Sequence, residues 1–178
     1  VLNPSDEVLI HEPAWLSYQE QARLCRAKVS FIPYGEEIKN FGKYFTKHTK
    51  LMIINNPNNP SGRVYKENEL MGIYVTCRSR GAYLIVDEAY SDYILDEKFS
   101  SMPRLVPSMD GVITINSLSK NMGMSGWRVG YAIATPFFIS QLLKLNHRTR
   151  VKRVGCADLG YTSADLKINR SLLNASGA

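Results

Sequence analysis

The sequence predicts an α/β fold in which helices cover both faces of a mostly parallel sheet, a three-layer α/β/α arrangement. Short apolar runs alternate along the chain with segments of helical periodicity. The runs are continuously apolar rather than alternating, which is typical of parallel strands buried on both faces. Polar, turn-forming clusters follow three of these runs, at the strand ends where ligands bind in such sheets.

Apolar runs and helical spacing define the predicted elements in chain order. The predicted strands cover residues 8–10, 29–33, 51–54, 83–86, 112–115 and 129–134, and the predicted helices cover 16–27, 66–80 and a segment from Pro136. The second helix repeats apolar residues at i, i+3, i+4 and i+7, from Leu70 to Cys77. Gly81 follows it where a left-handed cap is expected, and Thr135 precedes Pro136 as an N-cap.

The net charge of +6 does not predict a nucleic-acid-binding protein. Residues 147–178 carry 6 basic and 2 acidic side chains and so hold two thirds of the excess charge. The preceding residues carry 16 basic and 14 acidic side chains and are almost balanced. A basic binding face is therefore not expected on the body of the protein, and nucleic acid is not predicted as a partner.

Neither a secretory leader nor a membrane span is expected. The chain does not start with a basic segment and an apolar run, and its longest apolar stretch, 129–145, is interrupted by glycine, proline and polar residues. Cys25, Cys77 and Cys156 are too few and too scattered for a disulfide framework or a zinc site. These features predict a cytoplasmic protein with reduced thiols, no metal site and no membrane partner.

Lys120 and Asp87 each follow a predicted strand and are candidates for chemistry. A lysine that is desolvated in a crevice loses its proton readily, which suits Schiff-base formation with a carbonyl. Taken alone, a solvated surface lysine is the simpler interpretation. A carboxylate that closes an apolar strand needs a cation or strong donors. Asp87 is therefore either the counter-ion of a protonated ring nitrogen, or a helix cap or metal ligand.

Two further segments carry groups that bind ligands. Arg128 lies between Gly126 and Gly130, which permit close backbone approach, and its guanidinium suits either a phosphate or a carboxylate. The segment 55–62, NNPNNPSG, is dense in turn formers, and a rigidly held asparagine within it presents its amide to a ligand. Dinucleotide-binding, phosphate-loop and helical zinc motifs are missing from the sequence.

Four segments together resemble the class I/II aminotransferases, which are pyridoxal-phosphate (PLP) enzymes of fold type I. In chain order they are EPAWLSY (12–18), NNPNNPSG (55–62), DEAY (87–90) and SLSKNMGMSGWRVG (117–130). The last segment is the most specific, because it joins a lysine to an arginine eight residues later within a Gly-Trp-Arg-Val-Gly context. The resemblance covers residues 1 to about 146.

The resemblance implies catalytic roles for Lys120, Asp87 and Tyr90. Lys120 would hold PLP as a Schiff base and later move the proton at the substrate α-carbon. Asp87 would pair with the ring nitrogen and keep the ring cationic, which makes the ring an electron sink. Asn59 and Tyr90 would hydrogen-bond the phenolic oxygen of the ring.

Further cofactor contacts are implied by the same resemblance. Trp15 would stack on one face of the PLP ring, and the small side chain of Ala89 would let the other face approach. Ser117 and Arg128 would bind the phosphate together with Ser119. The implied reaction passes an amino group between an amino acid and a 2-oxo acid, in a family whose members are usually homodimers.

The chain is about half as long as family members, so the resemblance implies truncation at both ends. Residues 1–146 would be the central part of the large PLP-binding domain, and 147–178 a basic tail that does not match the family. The cofactor motifs also occur in proteins of this fold that are not aminotransferases. A PLP-dependent lyase or decarboxylase of the same fold, or the aminotransferase-like sensor domain of a transcription regulator, therefore stays open as an alternative.

Overall fold

The computed structural model describes residues 1–95 and 98–149. The chain divides into two compact units, Val1–Thr135 and a second unit that begins at Pro136. The first unit contains the sheet and every candidate site residue. In the second, a helix over Pro136–Thr149 begins at the predicted residue. The predicted boundary at 146 stays a prediction, and the basic tail lies outside the described residues from residue 150 onward.

A six-stranded sheet forms the centre of the first unit. Its strands are β1 (Glu7–His11), β2 (Lys28–Ile32), β3 (Thr49–Asn55), β4 (Tyr83–Asp87), β5 (Val112–Ser117) and β6 (Gly130–Ile133). They lie in the order β2-β1-β3-β4-β5-β6. Neighbouring strands are parallel except β5 and β6, which are antiparallel. The predicted mostly parallel sheet is confirmed.

The antiparallel pairing of β6 with β5 depends on Gly130. A Cβ at this position would lie 2.7 Å from the carbonyl oxygen of Asn116 on β5, so a larger residue would push the strands apart. The chain between the two strands forms one helical turn at Leu118–Asn121 and a 3₁₀ helix at Ser125–Trp127. This connection has no helix longer than a single turn that could carry the chain back along the sheet, as the crossover of a parallel pair would need.

Helices cover both faces of the sheet, which confirms the predicted three layers. The helices of the first unit are α1 (Ser17–Leu24), α2 (Glu67–Ser79), α3 (Met102–Leu105) and α4 (Leu118–Asn121), and the helix at Pro136–Thr149 is α5. Tyr18 and Ala22 of α1 pack on one face. Leu70 and Ile73 of α2 pack on the other face, together with Met102 of α3. Within the described ranges, no helix has the length and apolarity to span a membrane.

Positive backbone φ angles mark the ends of the two longer helices in the first unit. Gly81 has a φ of 67°, which confirms the predicted left-handed cap of α2. Arg26 has a φ of 58°, which lies outside the range of a right-handed helix. The helix α1 therefore ends before it, at Leu24 rather than at the predicted residue 27.

The buried ionisable side chains include Glu88, just after β4, and His11, at the end of β1. The Glu88 carboxylate, which is 2% exposed, accepts the Ser101 hydroxyl at 2.6 Å and the Met102 N–H at 2.8 Å. Burial raises the pKa of Glu88 to about 7. His11 hydrogen-bonds with the Tyr65 hydroxyl, and burial lowers the pKa of His11 to about 4. Burial therefore opposes the charged form of both side chains.

We expect Glu88→Gln to change how stability depends on pH. The folded pKa of Glu88 lies above its unfolded value of 4.5. Its contribution to stability is therefore complete below pH 4.5 and is lost as the pH rises through about 7. Glutamine keeps an acceptor for the Met102 N–H and carries no charge. Urea unfolding should show the variant gaining up to about 3 kcal/mol relative to the wild type across this range.

Glu20→Gln is the matched control for this experiment. Glu20 is exposed and forms an ion pair with Arg23 on α1. The free energy of unfolding of this control should differ little from that of the wild type, because an exposed ion pair contributes little to stability. A difference between Glu88→Gln and the wild type that stays the same from below pH 4.5 to above pH 7 would show that burial does not keep the Glu88 carboxyl protonated.

Candidate active site

The loops after β3, β4 and β5 meet at one edge of the sheet. In the parallel register, Asn55 of β3 lies beside Asp87 of β4, and Asp87 lies beside Ile115 of β5. Ligands bind at this carboxyl edge in parallel sheets. The three polar clusters that the sequence predicts at strand ends therefore converge.

The Asp87 carboxylate ends β4 and is held by two donors. The Tyr18 hydroxyl donates to its Oδ2 at 2.6 Å, and the Ala89 N–H donates to its Oδ1 at 3.0 Å. These are the strong donors that a carboxylate needs at the end of an apolar strand. Each oxygen keeps a further lone pair, so the carboxylate can also accept a hydrogen bond from a ligand.

Sequence reasoning misses Tyr18, which brings α1 into the site. The side chain is 6% exposed, and burial together with the Asp87 carboxylate raises the pKa of Tyr18 above its usual value. Its hydroxyl therefore stays protonated and donates. The half-exposed ring of Trp15 packs edge-to-face on Tyr18, with 5.4 Å between centroids. Trp15 lies just before α1, and the turn in which the Tyr18 N–H donates to the Trp15 carbonyl at 3.1 Å brings the two rings together.

A cleft of about 420 Å³ separates the segment 55–62 from the loop after β4. Asn59 and Tyr90 line this cleft together with Tyr93. The Asn59 backbone N–H donates to Asn55. Within the part of the chain that the structure describes, the side-chain amide of Asn59 has no hydrogen-bond partner. That amide is available to a ligand in the cleft.

Lys120 lies on α4, the single turn that follows β5. Its Nζ is 5.6 Å from the centre of the Tyr90 ring, and its backbone carbonyl accepts the Tyr93 hydroxyl at 3.1 Å. The side chain is exposed, which agrees with the interpretation of Lys120 as a solvated lysine rather than a desolvated one. It belongs to the short helix beyond the end of β5, with the Tyr90 ring beside its amine.

Ser117, Ser119 and Arg128 are drawn together around α4. Ser117 is the N-cap of this helix, and its Oγ accepts the Ser119 N–H at 3.2 Å. The Arg128 Nη1 lies 3.5 Å from the Ser119 Oγ and donates to the Ser125 carbonyl at 3.2 Å. Arg128 forms no ion pair with any carboxylate of residues 1–95 and 98–149. The exposed guanidinium is therefore available to an anion.

The predicted site residues thus lie around one edge of one sheet. Residues 1–159 match the family model described as aminotransferase class I and II. The chain belongs to this aminotransferase family. Enzymes of the family use PLP. The match confirms the resemblance drawn from the four sequence segments, and it continues past residue 146.

Relatives and solved structures agree with the aminotransferase assignment. An aspartate aminotransferase of Thermotoga maritima is 33% identical over 158 residues, which is 84% of this chain and 41% of the relative. The solved aspartate aminotransferase of Thermus thermophilus with maleate has a TM-score of 0.79 at 28% identity, and covers 84% of this chain and 40% of its own. The aromatic aminotransferase of Pyrococcus horikoshii has a TM-score of 0.79 at 30% identity, with coverages of 84% and 42%. The chain therefore spans about two fifths of the length of these relatives.

Tyr18→Phe should weaken the site of this aminotransferase chain without unfolding it. The change deletes the hydroxyl that donates to Asp87 Oδ2 and leaves the buried ring in place. A hydrogen bond to a charged group contributes about 1.5–3 kcal/mol to the free energy of unfolding. Urea unfolding at pH 7 measures the loss.

Tyr44→Phe is the matched control, since the Tyr44 hydroxyl also donates to a carboxylate, that of Glu36, at 2.6 Å. Glu36 keeps Lys43 and Asn40 as partners when that hydroxyl is lost, so the control should lose less stability. Equal losses in the two variants would contradict the dependence of Asp87 on Tyr18.

Proposed function

We propose that this chain provides the PLP-binding part of an aminotransferase and that Lys120 attaches the cofactor. The observation that carries the proposal is the meeting of an amine, a carboxylate and a serine–arginine group at one edge of the sheet. Asp87 is the last residue of β4, and Lys120 and Arg128 lie in the segment that follows β5. PLP offers the complementary set, which is an aldehyde, a ring nitrogen and a phosphate.

The charged groups at this edge fit the charged parts of PLP. Ser119 Oγ and Arg128 Nη1 are 3.5 Å apart and suit neighbouring phosphate oxygens, with Ser117 beside them at the start of α4. The Asp87 carboxylate has lone pairs left for a protonated ring nitrogen. The Tyr18 hydroxyl and the Ala89 N–H orient the carboxylate and leave it able to accept a further hydrogen bond.

The neutral groups fit the ring of PLP. Asn59 has a free amide and Tyr90 a hydroxyl on the wall of the same cleft, which suits them as partners of the phenolic oxygen. Trp15 presents a half-exposed aromatic ring for stacking. Ala89, whose N–H binds Asp87, has a side chain small enough to let the other face of the ring approach.

When bound, PLP supplies the electron sink that stabilises negative charge on the substrate α-carbon. The Asp87 carboxylate holds the proton on the ring nitrogen, and Tyr18 and Ala89 hold that carboxylate in place. The Lys120 amine would act as the general base that takes the proton from the α-carbon. The Tyr90 ring lies beside this amine and limits where it moves.

The proposed substrates are an amino acid and a 2-oxo acid, and the amino group passes between them in two half-reactions. Support comes from the names of the relatives, which are aspartate, aspartate/prephenate and aromatic aminotransferases. Those names favour transamination over the lyase, decarboxylase and regulator alternatives, which share the cofactor motifs.

We also propose homodimeric assembly and a cytoplasmic location. Large apolar side chains lie exposed on the cleft wall and around α4, namely Tyr93, Leu95, Met122 and Trp127. A cluster of exposed apolar side chains favours burial of this surface against a second copy of the chain. The scattered cysteines favour the cytoplasm, because reduced thiols are typical there.

Lys120→Ala should abolish covalent attachment of PLP and leave the fold intact, because the Lys120 side chain is exposed. The wild-type chain mixed with PLP should turn yellow and keep this absorbance through gel filtration, and the variant should not. Lys47→Ala, at another exposed lysine, should behave like the wild type. Equal retained absorbance in Lys120→Ala and the wild type would show that Lys120 is not the attachment site.

Arg128→Gln should weaken the binding of PLP but not that of pyridoxal, which lacks the phosphate. A hydrogen bond to a charged group contributes about 1.5–3 kcal/mol, so the Kd for PLP should rise about tenfold to a hundredfold. Titrations followed by absorbance give both constants, and pyridoxal is the internal control. Equal weakening for the two ligands would contradict a phosphate contact at Arg128.

A further inference from the structure

Asn55 joins the two loops that carry the proposed contacts to the PLP ring. It is the last residue of β3, and it is 3% exposed. Its Nδ2 donates to the Asp87 carbonyl oxygen at 2.8 Å, and its Oδ1 accepts the Asn59 N–H at 2.6 Å. One buried amide therefore contacts both Asp87 and Asn59.

The two partners fix the orientation of this amide. The Asp87 carbonyl accepts only and the Asn59 N–H donates only, so a flipped amide would set like groups against each other at both ends. Such a mismatch is costly in a buried place. Asn55 is thus held in one orientation, and the dimensions of its amide set the separation of its two partners.

The pairing of β3 with β4 does not need this side chain. The Asn56 N–H already donates to the Asp87 carbonyl at 2.8 Å, so that carbonyl is satisfied without Asn55. Ile53, two residues earlier and on the same face of β3, is apolar and packs in the core. The buried amide at position 55 is therefore not needed for strand pairing, and it binds the segment that follows the strand.

We propose that Asn55 is a positioning residue. Through the backbone carbonyl of Asp87 and the backbone N–H of Asn59, it sets the spacing between the two side chains that would contact the PLP ring. This role rests on the proposed function. Asn55 touches neither cofactor nor substrate and acts on the ring oxygen through Asn59. When Asn55 is lost, the backbone N–H of Asn59 loses its partner and the side-chain amide of Asn59 is no longer held at the ring.

Hydrogen exchange without PLP tests the structural half of this proposal. Asn55→Leu removes both hydrogen bonds at similar side-chain volume, and Asn55→Ala is a second variant that leaves room for water. Asn58→Leu is the matched control, because Asn58 is 7% exposed in the same segment but binds Pro13 and Ser61. Hydrogen exchange at the backbone N–H of Asn59 should become about fivefold faster in the Asn55 variants. It should change less in the control, and unchanged exchange in both Asn55 variants overturns the proposal.

The absorbance of bound PLP tests the functional half, because its pH midpoint depends on the hydrogen bonds of the ring oxygen. Asn55→Leu or Asn55→Ala should shift this midpoint in the same direction as Asn59→Ala does. The double variant should shift no further than Asn59→Ala alone, because Asn55 acts through Asn59. The Kd for PLP should rise about fivefold to tenfold. Fully additive shifts, or an unchanged midpoint in the Asn55 variants, overturn the positioning role.

The positioning role and the proposed function fail in different ways. A wild-type chain that gains no lysine-bound absorbance overturns the proposed function and the positioning role with it. A wild-type chain that gains this absorbance, with Asn55 variants that match it in exchange, Kd and pH midpoint, overturns the positioning role alone.

Discussion

The in-register parallel pairing of β3, β4 and β5 is the constraint on which the site depends. Asn55 lies beside Asp87, and Asp87 lies beside Ile115. The loops that follow these three strands therefore begin close together at the same edge of the sheet. The Asn55 amide then donates to the Asp87 carbonyl, and the amides of Asn116 and Asn121 donate to the Ser91 hydroxyl, so hydrogen bonds join the ends of all three strands. A shift of β4 by one residue would turn Asp87 to the opposite face, away from Tyr18 of α1.

Asp87 and Glu88 divide two roles between the faces of the sheet. Consecutive residues of an extended segment point to opposite faces. Asp87 faces α1, receives the Tyr18 hydroxyl and keeps lone pairs for a ligand. Glu88 is buried on the other side, where it accepts the first backbone N–H of α3 at Met102. One carboxylate is therefore available for chemistry, and its neighbour stabilises the fold.

Local sequence patterns predict the strands and the longer helices because those depend on hydrophobic periodicity. The predicted helix 66–80 is one residue longer than α2 at each end, and the predicted strand 83–86 stops one residue before the end of β4. The single turns α3 and α4 are too short to show a period. The contact between Tyr18 and Asp87 joins residues far apart in sequence, and the exposure of Lys120 depends on its surroundings. The cofactor roles of the site residues, drawn from the family resemblance, stay predictions.

Borohydride reduction of the PLP-treated chain, followed by peptide mapping, tests the central claim most directly. Reduction makes a lysine–PLP link permanent, so mass spectrometry identifies the lysine that carried it. The predicted result is one pyridoxyl group, on the peptide that contains Lys120. A label spread over other lysines, or no label after reduction, would contradict the assignment of Lys120 as the attachment site.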